Sequence, residues 1–323
     1  MRVLAAVSVA CISCLVAPEL VKAESFPNRH VTIINQTPAG SGPDVICRIV
    51  GERLGQLWNQ QVVVLNKPGA AGLIAAQTAA SAAPDGYTLY MPTSTALVIL
   101  PEINPKSGVD FERDFLPIGL MGESPMAIAT ATSTQIGSLP ELISAAKAKP
   151  GELLYAANNR GSVPHLAGEY LRAQAGIDMR FVAYSGAAAA LQDVLGGRIP
   201  VVIESLSALK GAVDNNSVKV LAFTSRQRLY EFPDVPTVSE TLPGFTLTGW
   251  FALIAPKGTP HALIDKIGMD LRAVLSEPAI QQKVSVLGVY ARPMSPSDTA
   301  EFIRREREAW RPVIQKAGLA TQH

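Results

Sequence analysis

The sequence predicts an α/β protein of two lobes with mostly parallel sheets. Three observations carry this expectation. Short β-branched runs alternate with longer amphipathic ones along the chain. About 300 residues follow position 23, more than a single hydrophobic core usually serves. No low-complexity linker or internal repeat separates the halves, so the chain is expected to cross between lobes on paired strands that can act as a hinge.

The elements follow in order. Val31–Ile34 reads as a strand, Pro43–Trp58 as a helix, Val62–Leu65 as a strand, Leu73–Ala82 as a helix and Tyr87–Met91 as a third strand. Further strands are expected at Met126–Ala131, Leu153–Ala156, Arg180–Val182, Pro200–Ile203 and Val218–Phe223. Helices are expected at Leu139–Lys147, Val163–Gln174 and Ala187–Leu195. The helix at Pro43 is the best specified. Val45, Ile46, Ile49, Val50, Leu54 and Leu57 fall on one face, with Arg48, Glu52 and Arg53 opposite. Pro43 suits the first turn, and Ser41 or Gly42 the cap.

The first 23 residues read as a cleaved secretory signal. Met1-Arg2 is a basic start, Val3–Ala17 an apolar run, and Val21-Lys22-Ala23 a small-residue cleavage site. The run is too short to span a membrane. The protein is therefore expected to be periplasmic, which weighs against functions needing cytosolic ATP or NAD. Ser8-Val9-Ala10 before Cys11 is a poor lipobox. Cys11 and Cys14 leave with the signal, so Cys47 has no partner for a disulfide. Its neighbours Ile46 and Ile49 suggest a buried, inert thiol.

The 28 basic and 27 acidic residues become 26 of each once Arg2, Lys22 and Glu19 are removed. The densest basic run, Arg304-Arg305-Glu306-Arg307-Glu308, is mixed and reads as a solvated helix face. Nucleic acid has no electrostatic footprint to bind. The four histidines, His30, His165, His261 and His323, have no metal-ligand spacing, so no metal is expected.

The first strand runs into Ala39-Gly40-Ser41-Gly42 and then a helix. Such a turn presents backbone N–H groups at the positive end of a helix and can take an anion; it can equally be a tight turn without a ligand. A dinucleotide is disfavoured, because Val45 stands where the third glycine would be and the second strand ends at Asn66 rather than an acidic residue. No Gly-Lys-Ser or Gly-Lys-Thr occurs, so there is no P-loop. A carboxylate is the simplest remaining anion.

The same residues open a series of blocks. Ala39-Gly40-Ser41-Gly42-Pro43-Asp44 with Arg48 is followed by Val64-Leu65-Asn66-Lys67-Pro68-Gly69-Ala70-Ala71-Gly72, Pro84-Asp85-Gly86-Tyr87-Thr88-Leu89 and Asp114-Phe115-Leu116-Pro117-Ile118-Gly119. Gly161-Ser162-Val163-Pro164-His165-Leu166-Ala167-Gly168-Glu169, Tyr184-Ser185-Gly186 and Asp234-Val235-Pro236-Thr237-Val238-Ser239-Glu240 come later. Gly249-Trp250-Phe251 and Ala255-Pro256-Lys257-Gly258-Thr259-Pro260 close the series. In this order the blocks resemble the tripartite tricarboxylate transporter substrate-binding proteins, the Bug family.

The resemblance implies a type II periplasmic-binding-protein fold, with two α/β lobes, a central ligand cleft and a two-strand hinge. Lobe 1 would comprise residues 24–122 and 250–323, and lobe 2 residues 123–249, with crossings near Gly122 and Phe245–Gly249. It implies capture of a small carboxylate, a di- or tricarboxylate or an aromatic acid, by a monomer, and delivery to membrane transporter subunits. It implies no catalysis and no cofactor.

It also places the ligand contacts. They are Ala39, Gly40, Ser41, Gly42 and Asp44 in the first turn, and Thr93, Ser94 and Thr95 after the third strand. Asn158, Gly161, Ser162 and His165 follow from the second lobe, then Tyr184 and Ser185, and Glu204 beside Ser205. All lie at strand carboxyl ends. Each has a plainer role open to it. Asp44 can compensate a helix dipole. His165 can order its own turn, Tyr184 can pack between lobes, and Trp250 can be core. Ser162 can cap a helix while its turn holds a carboxylate, and Arg160 can pair a second carboxylate or be solvated.

Three departures from the family pattern bear on the ligand. Thr37 stands where an aromatic is usual, Gly40-Ser41 replaces a double glycine, and Ala96 replaces a histidine. Two other functions are open. One is a ligand sensor feeding a signalling partner. The other is a secreted hydrolase built on Ser162, His165 and Glu204, which the lack of a Gly-x-Ser-x-Gly elbow and the three-residue spacing of Ser162 and His165 disfavour.

Overall fold

A computed structural model describes residues 26–319. The signal-peptide reading lies outside the described residues. The chain runs β1 (Val31–Asn35), α1 (Gly42–Trp58), β2 (Val62–Asn66), α2 (Leu73–Ala80) and β3 (Thr88–Met91). A π-helical turn, Thr95–Ile99, leads into α3 (Leu100–Ile103) and α4 (Phe111–Asp114). Then come β4 (Phe115–Ala131), α5 (Leu139–Ala148), β5 (Leu154–Asn158), α6 (Val163–Ala175), β6 (Arg180–Tyr184), α7 (Ala187–Leu195), β7 (Val201–Ser205), α8 (Leu206–Asp214) and β8 (Val218–Phe223). The chain closes with α9 (Val238–Thr241), β9 (Thr248–Pro256), α10 (His261–Leu275), α11 (Pro278–Ser285), β10 (Tyr290–Ala291) and α12 (Pro296–Lys316).

The strands form a mixed α/β sheet system in which one strand serves two neighbourhoods. Phe115–Pro125 of β4 pairs with β9, in a set ordered β2-β1-β3-β9-β4 with β10 against β4. Met126–Ala131 of β4 pairs with β7 and β8, and β7 continues to β5 and β6.

The expectation of mostly parallel strands is corrected here. The β1–β2, β1–β3, β5–β6 and β5–β7 pairs are parallel, but every pair involving β4 or β9 is antiparallel. The reason is topological: β4 carries the chain out of the first set and β9 brings it back in the opposite sense.

Helix α1 shows why the local sequence folds as it does. Pro43 sits in its first turn, and Asn59 ends it in the left-handed region at φ 50°. Its buried stripe is Asp44, Ile46, Cys47, Val50, Gly51, Leu54 and Trp58. The predicted stripe is thus displaced, since Leu57 is 48% exposed and Trp58 takes the core position. Gly51 allows this face to lie close on β2, as a Cβ there would stand 3.2 Å from Val62 Cγ1. Cys47 is fully buried, and burial pushes its thiol up to about 12, so the inert-thiol reading holds.

Helix α6 carries a second close approach. A Cβ on Gly168 would fall 2.2 Å from the Tyr155 ring. The missing side chain lets Tyr155 lie beneath the helix and donate its hydroxyl to Glu169 at 2.7 Å. The C-terminal helix α12 packs against β4, the π-helical turn and α6. Within it Glu306 accepts hydrogen bonds from Trp250 Nε1 at 2.9 Å and Trp310 Nε1 at 3.1 Å.

Candidate ligand site

The glycine turn after β1 is built around a buried carboxylate. Asp44 is 1% exposed and accepts from the Gly40 N–H at 2.8 Å, Asn66 Nδ2 at 2.7 Å, Asn35 Nδ2 at 3.1 Å and Arg48 Nε at 3.0 Å. Burial alone would raise this carboxyl, but the hydrogen bonds outweigh it and hold the group below its ordinary value. Ser41 Oγ donates to the Pro38 carbonyl at 2.7 Å. Two of the predicted anion donors are therefore spoken for internally. Ala39 and Gly40 are exposed, and Asp44 is buried and orders the turn through its internal partners.

Beyond the turn, the start of α1 meets the start of α8. A Cβ on Gly42 would lie 2.9 Å from both Cβ and Oγ of Ser207. Ser207 Oγ also lies 3.2 Å from Ser124 Oγ and 3.2 Å from Ser205 Oγ. Beside this contact is a cavity of about 190 Å³ lined by Pro43, Thr93, Ser94, Thr95, Ser124, Met126, Asn158, Ser162, Val163, Pro164, Glu204, Ser205, Ser207, Gly249, Trp250 and Phe251. It draws on both strand neighbourhoods and on the β4 and β9 segments between them. At roughly 30 Å³ per water, it holds about six water-sized groups.

Three features define its chemistry. First, the amino-terminal ends of α1, α6 and α8 all reach it, at Pro43, at Ser162–Pro164 and at Ser205–Ser207. Each end carries roughly half a positive charge and unpaired N–H groups. Second, no Lys, Arg or His lines it among the described residues. Third, Ser94 Oγ, Asn158 Oδ1 and Glu204 Oε1 are buried there without a hydrogen-bond partner. Unpaired buried polar atoms are costly, so these three ask for a polar guest.

Neighbours brace the lining. Gln36 donates from Nε2 to Thr93 Oγ1 at 2.9 Å and accepts from Tyr90 Oη at 2.8 Å. Ser94 and Thr95 begin the π-helical turn, a distortion that often marks function. Ser162 Oγ accepts the His165 N–H at 3.3 Å and caps α6 as anticipated.

Of the sequence-derived candidates, Thr93, Ser94, Thr95, Asn158, Ser162 and Glu204 come together around the cavity. Gly42 stands at its edge through Ser207. Others are placed elsewhere. Gly161 donates its N–H to His165 Nδ1 at 3.2 Å. His165 is 2% exposed, packs against Phe181 with ring centroids 4.1 Å apart and planes tilted by 43°, and lies 3.8 Å from Glu169. It borders a separate cleft with Arg160, Arg172 and Arg180. Burial depresses its imidazole to about 4, so it is neutral near pH 7. Its ring is engaged with Gly161 rather than Ser162, so the hydrolase triad is not assembled. Tyr184 donates to Asp193 at 2.5 Å, Ser185 is exposed, and neither lines the cavity.

The departures also land elsewhere: Thr37 donates to Asn35 Oδ1, and Ala96 is fully buried in the core. Sequence reading missed Ser124, Ser207 and the Gly249-Trp250-Phe251 lining. A signal was available: Ser207 follows Glu204-Ser205 at a strand-to-helix turn, and Ser124 sits where β4 changes partners.

Comparison with known proteins places the chain in a family. Residues 46–319 match the model of the tripartite tricarboxylate transporter family receptors. Protein BugT of Bordetella pertussis is 32% identical over 300 residues, covering 92% of each chain. The structure of Rpa4515 of R. palustris with adipate superposes with a TM-score of 0.84 at 29% identity, over 91% of this chain and 99% of that one. MatC of Rhodopseudomonas palustris with bound malate gives 0.78 at 27% identity, over 90% and 100%. A small cleft reached by three helix amino termini, on this α/β scaffold, is thus found in a chain that belongs to the tripartite tricarboxylate transporter receptor family, the Bug-type periplasmic binding proteins.

Proposed function

We propose that this chain is a periplasmic receptor that captures a small carboxylate, a dicarboxylate of malate to adipate size, and presents it to membrane transporter subunits. The observation that carries this reading is the cavity itself. Three helix amino termini and the unpartnered Ser94 hydroxyl face the cavity, with no cationic side chain in its lining. Such a site suits a compact anion held by N–H and hydroxyl donors. Its volume suits a ligand of few heavy atoms, well below the usual range of drug-sized sites. Relatives with adipate and with malate support the ligand class.

In this reading residues 24–122 and 250–323 form one lobe and residues 123–249 the other. The ligand contacts are Thr93, Ser94 and Thr95 with Gly42 from the first, and Asn158, Ser162, Glu204 and Ser207 from the second. Binding requires no bond to be made or broken, and the receptor acts as a monomer without a cofactor.

A thermal-shift panel of mono-, di-, tri- and aromatic carboxylates tests this. Ligand at 100 times its Kd adds about 2.7 kcal/mol, or about 4 °C for a chain of this size. Dicarboxylates should raise the midpoint in wild type and much less in Ser94→Ala. A panel with no shift at millimolar ligand argues against the carboxylate receptor.

A further inference from the structure

Among the described residues, Glu204 is the one ionisable side chain that lines the cavity. It sits at the end of β7, opposite Ala127 of β4, and is 1% exposed. Oε2 accepts the Ser205 N–H at 3.1 Å, while Oε1 has no partner. An acidic group is an unexpected lining for an anion site, and no cationic side chain lines the cavity to neutralise it.

The charged groups of the surrounding elements are committed elsewhere. On β4, Glu123 pairs with Arg292. On α6, Glu169 takes Arg172 and lies beside His165. On α7, Asp193 pairs with Arg198, and on α8, Lys210 with Asp214. Asp44 of α1 is held by Arg48, and Glu306 behind Trp250 by two indole N–H groups. The remaining polar neighbour, Asn158 of β5, is uncharged. Burial accordingly dominates and lifts the Glu204 carboxyl to about 7, against backbone hydrogen bonds from Ser205 and Asn158 that pull it down.

The proposed ligand brings its own carboxylate into the same 190 Å³. Two ionised carboxylates sharing so small a site repel, and the pKa of one must rise. The α8 end meets Glu204 itself through the Ser205 N–H, which leaves the ends of α1 and α6 to stabilise the ligand's charge. We infer that Glu204 takes up one proton as a carboxylate ligand binds, and that its O–H then donates a hydrogen bond to that ligand. The proton comes from solvent, the ligand stays ionised, and no covalent bond of the ligand changes. Glu204 is thereby a specificity residue: it admits a carboxylate only at the cost of a proton, and it offers that carboxylate a neutral donor in place of a cation. This rests on the carboxylate-receptor reading above.

The test uses the full mature chain with malate and with adipate, titrated calorimetrically between pH 6.5 and 9. Both ligands are fully ionised there, because ordinary carboxyls titrate near about pH 4. In wild type Kd should be nearly flat at the acid end. It should weaken toward roughly tenfold per pH unit at the alkaline end, the limit for one linked proton. At pH 8, enthalpies in phosphate and in Tris should differ by the buffers' heats for the uptake of about one proton. Glu204→Gln supplies a neutral donor of the same shape, so its Kd should stay flat with pH and its enthalpy independent of buffer.

Wild-type binding that is flat with pH and blind to buffer overturns the proton coupling while leaving the receptor reading intact. A pH slope that survives Glu204→Gln also overturns it, because the proton then resides elsewhere. Failure of wild type to bind either ligand at any pH overturns both readings together. The buffer comparison is made on wild type, so it stands even where the variant folds poorly.

Discussion

Gly42 offers a direct way to separate ligand capture from folding. It stands at the first turn of α1, and its neighbour Ser207 belongs to α8 on the other strand neighbourhood. An alanine Cβ would lie 2.9 Å from Ser207 Cβ and Oγ. Carbon atoms pack best at about 3.5–4.0 Å, so the deficit is about 0.6–1.1 Å. Overpacking of this kind costs about 1–3 kcal/mol. In the two-lobe reading proposed above, ligand holds α1 and α8 together, so on that reading the strain falls on the ligated arrangement and is relieved where the helices part. Converted at 1.4 kcal/mol per decade, Gly42→Ala should weaken Kd by about 5- to 150-fold. Gly42 is the first helical residue and precedes Pro43, so intrinsic helix propensity adds little, and the unligated melting temperature should stay near that of wild type. Titration calorimetry with malate and adipate, beside melting curves with and without ligand, reads both quantities. An unchanged Kd, or equal destabilisation of the ligated and unligated protein, would refute the reasoning.

Other outcomes follow from the same geometry. Gly168→Ala drives a Cβ to 2.2 Å from the Tyr155 ring and should cost about 3 kcal/mol, seen as a lower denaturant midpoint at unchanged slope. Glu306→Ala strands the indole N–H groups of Trp250 and Trp310 and should cost about 2–4 kcal/mol in the same assay; Glu306→Gln, which retains an acceptor, should recover part of this. His165→Asn should lower stability yet leave ligand Kd within about threefold, since the ring faces Phe181 and Glu169; a large loss of affinity would return His165 to the ligand shell. Glu204 makes stability depend on pH. Its folded pKa of about 7 lies above the unfolded value of 4.5, so the folded state holds the extra proton between them. Unligated stability should therefore fall by about 3 kcal/mol as pH rises from 4.5 to 7, and Glu204→Gln should abolish that loss in melts across the range.

Much of the fold is legible in the sequence because its signals are local. Val218–Phe223 and Ala187–Leu195 coincide with β8 and α7 residue for residue, and most other boundaries agree within two residues. What local pattern does not encode is partnership. Met126–Ala131 reads as a short strand, yet it is the far half of a 17-residue strand whose near half contains Pro117, Gly119, Gly122 and Pro125. Those residues mask the β signal, and β9 supplies the pairing that overrides it.

The site divides the same way. Hydroxyls after strands, such as Ser94 and Ser162, are visible as strand-to-helix turns. Asp44 and His165 looked like ligand groups because polar residues at helix starts serve both structure and binding. What sequence could not show is the partners that hold each in place, Gly40 and Asn66 for one, Gly161 and Phe181 for the other.

The strand order also constrains how the molecule can be made. β3 and β4 do not pair with each other; β9 lies between them and joins both. The segment from Met126 to Phe223 already contains β5 to β8 and the half of β4 that pairs with β7 and β8, so that unit can assemble as soon as it emerges. The unit containing β1 to β3 cannot be completed until residues 248–256 arrive, more than 150 residues after β3. An amino-terminal fragment therefore exposes the open flank of β3 throughout this interval, a long-range closure of the slow, aggregation-exposed kind. The strands of the inserted unit are thus contiguous in the chain, while the sheet of the enclosing unit closes only with β9.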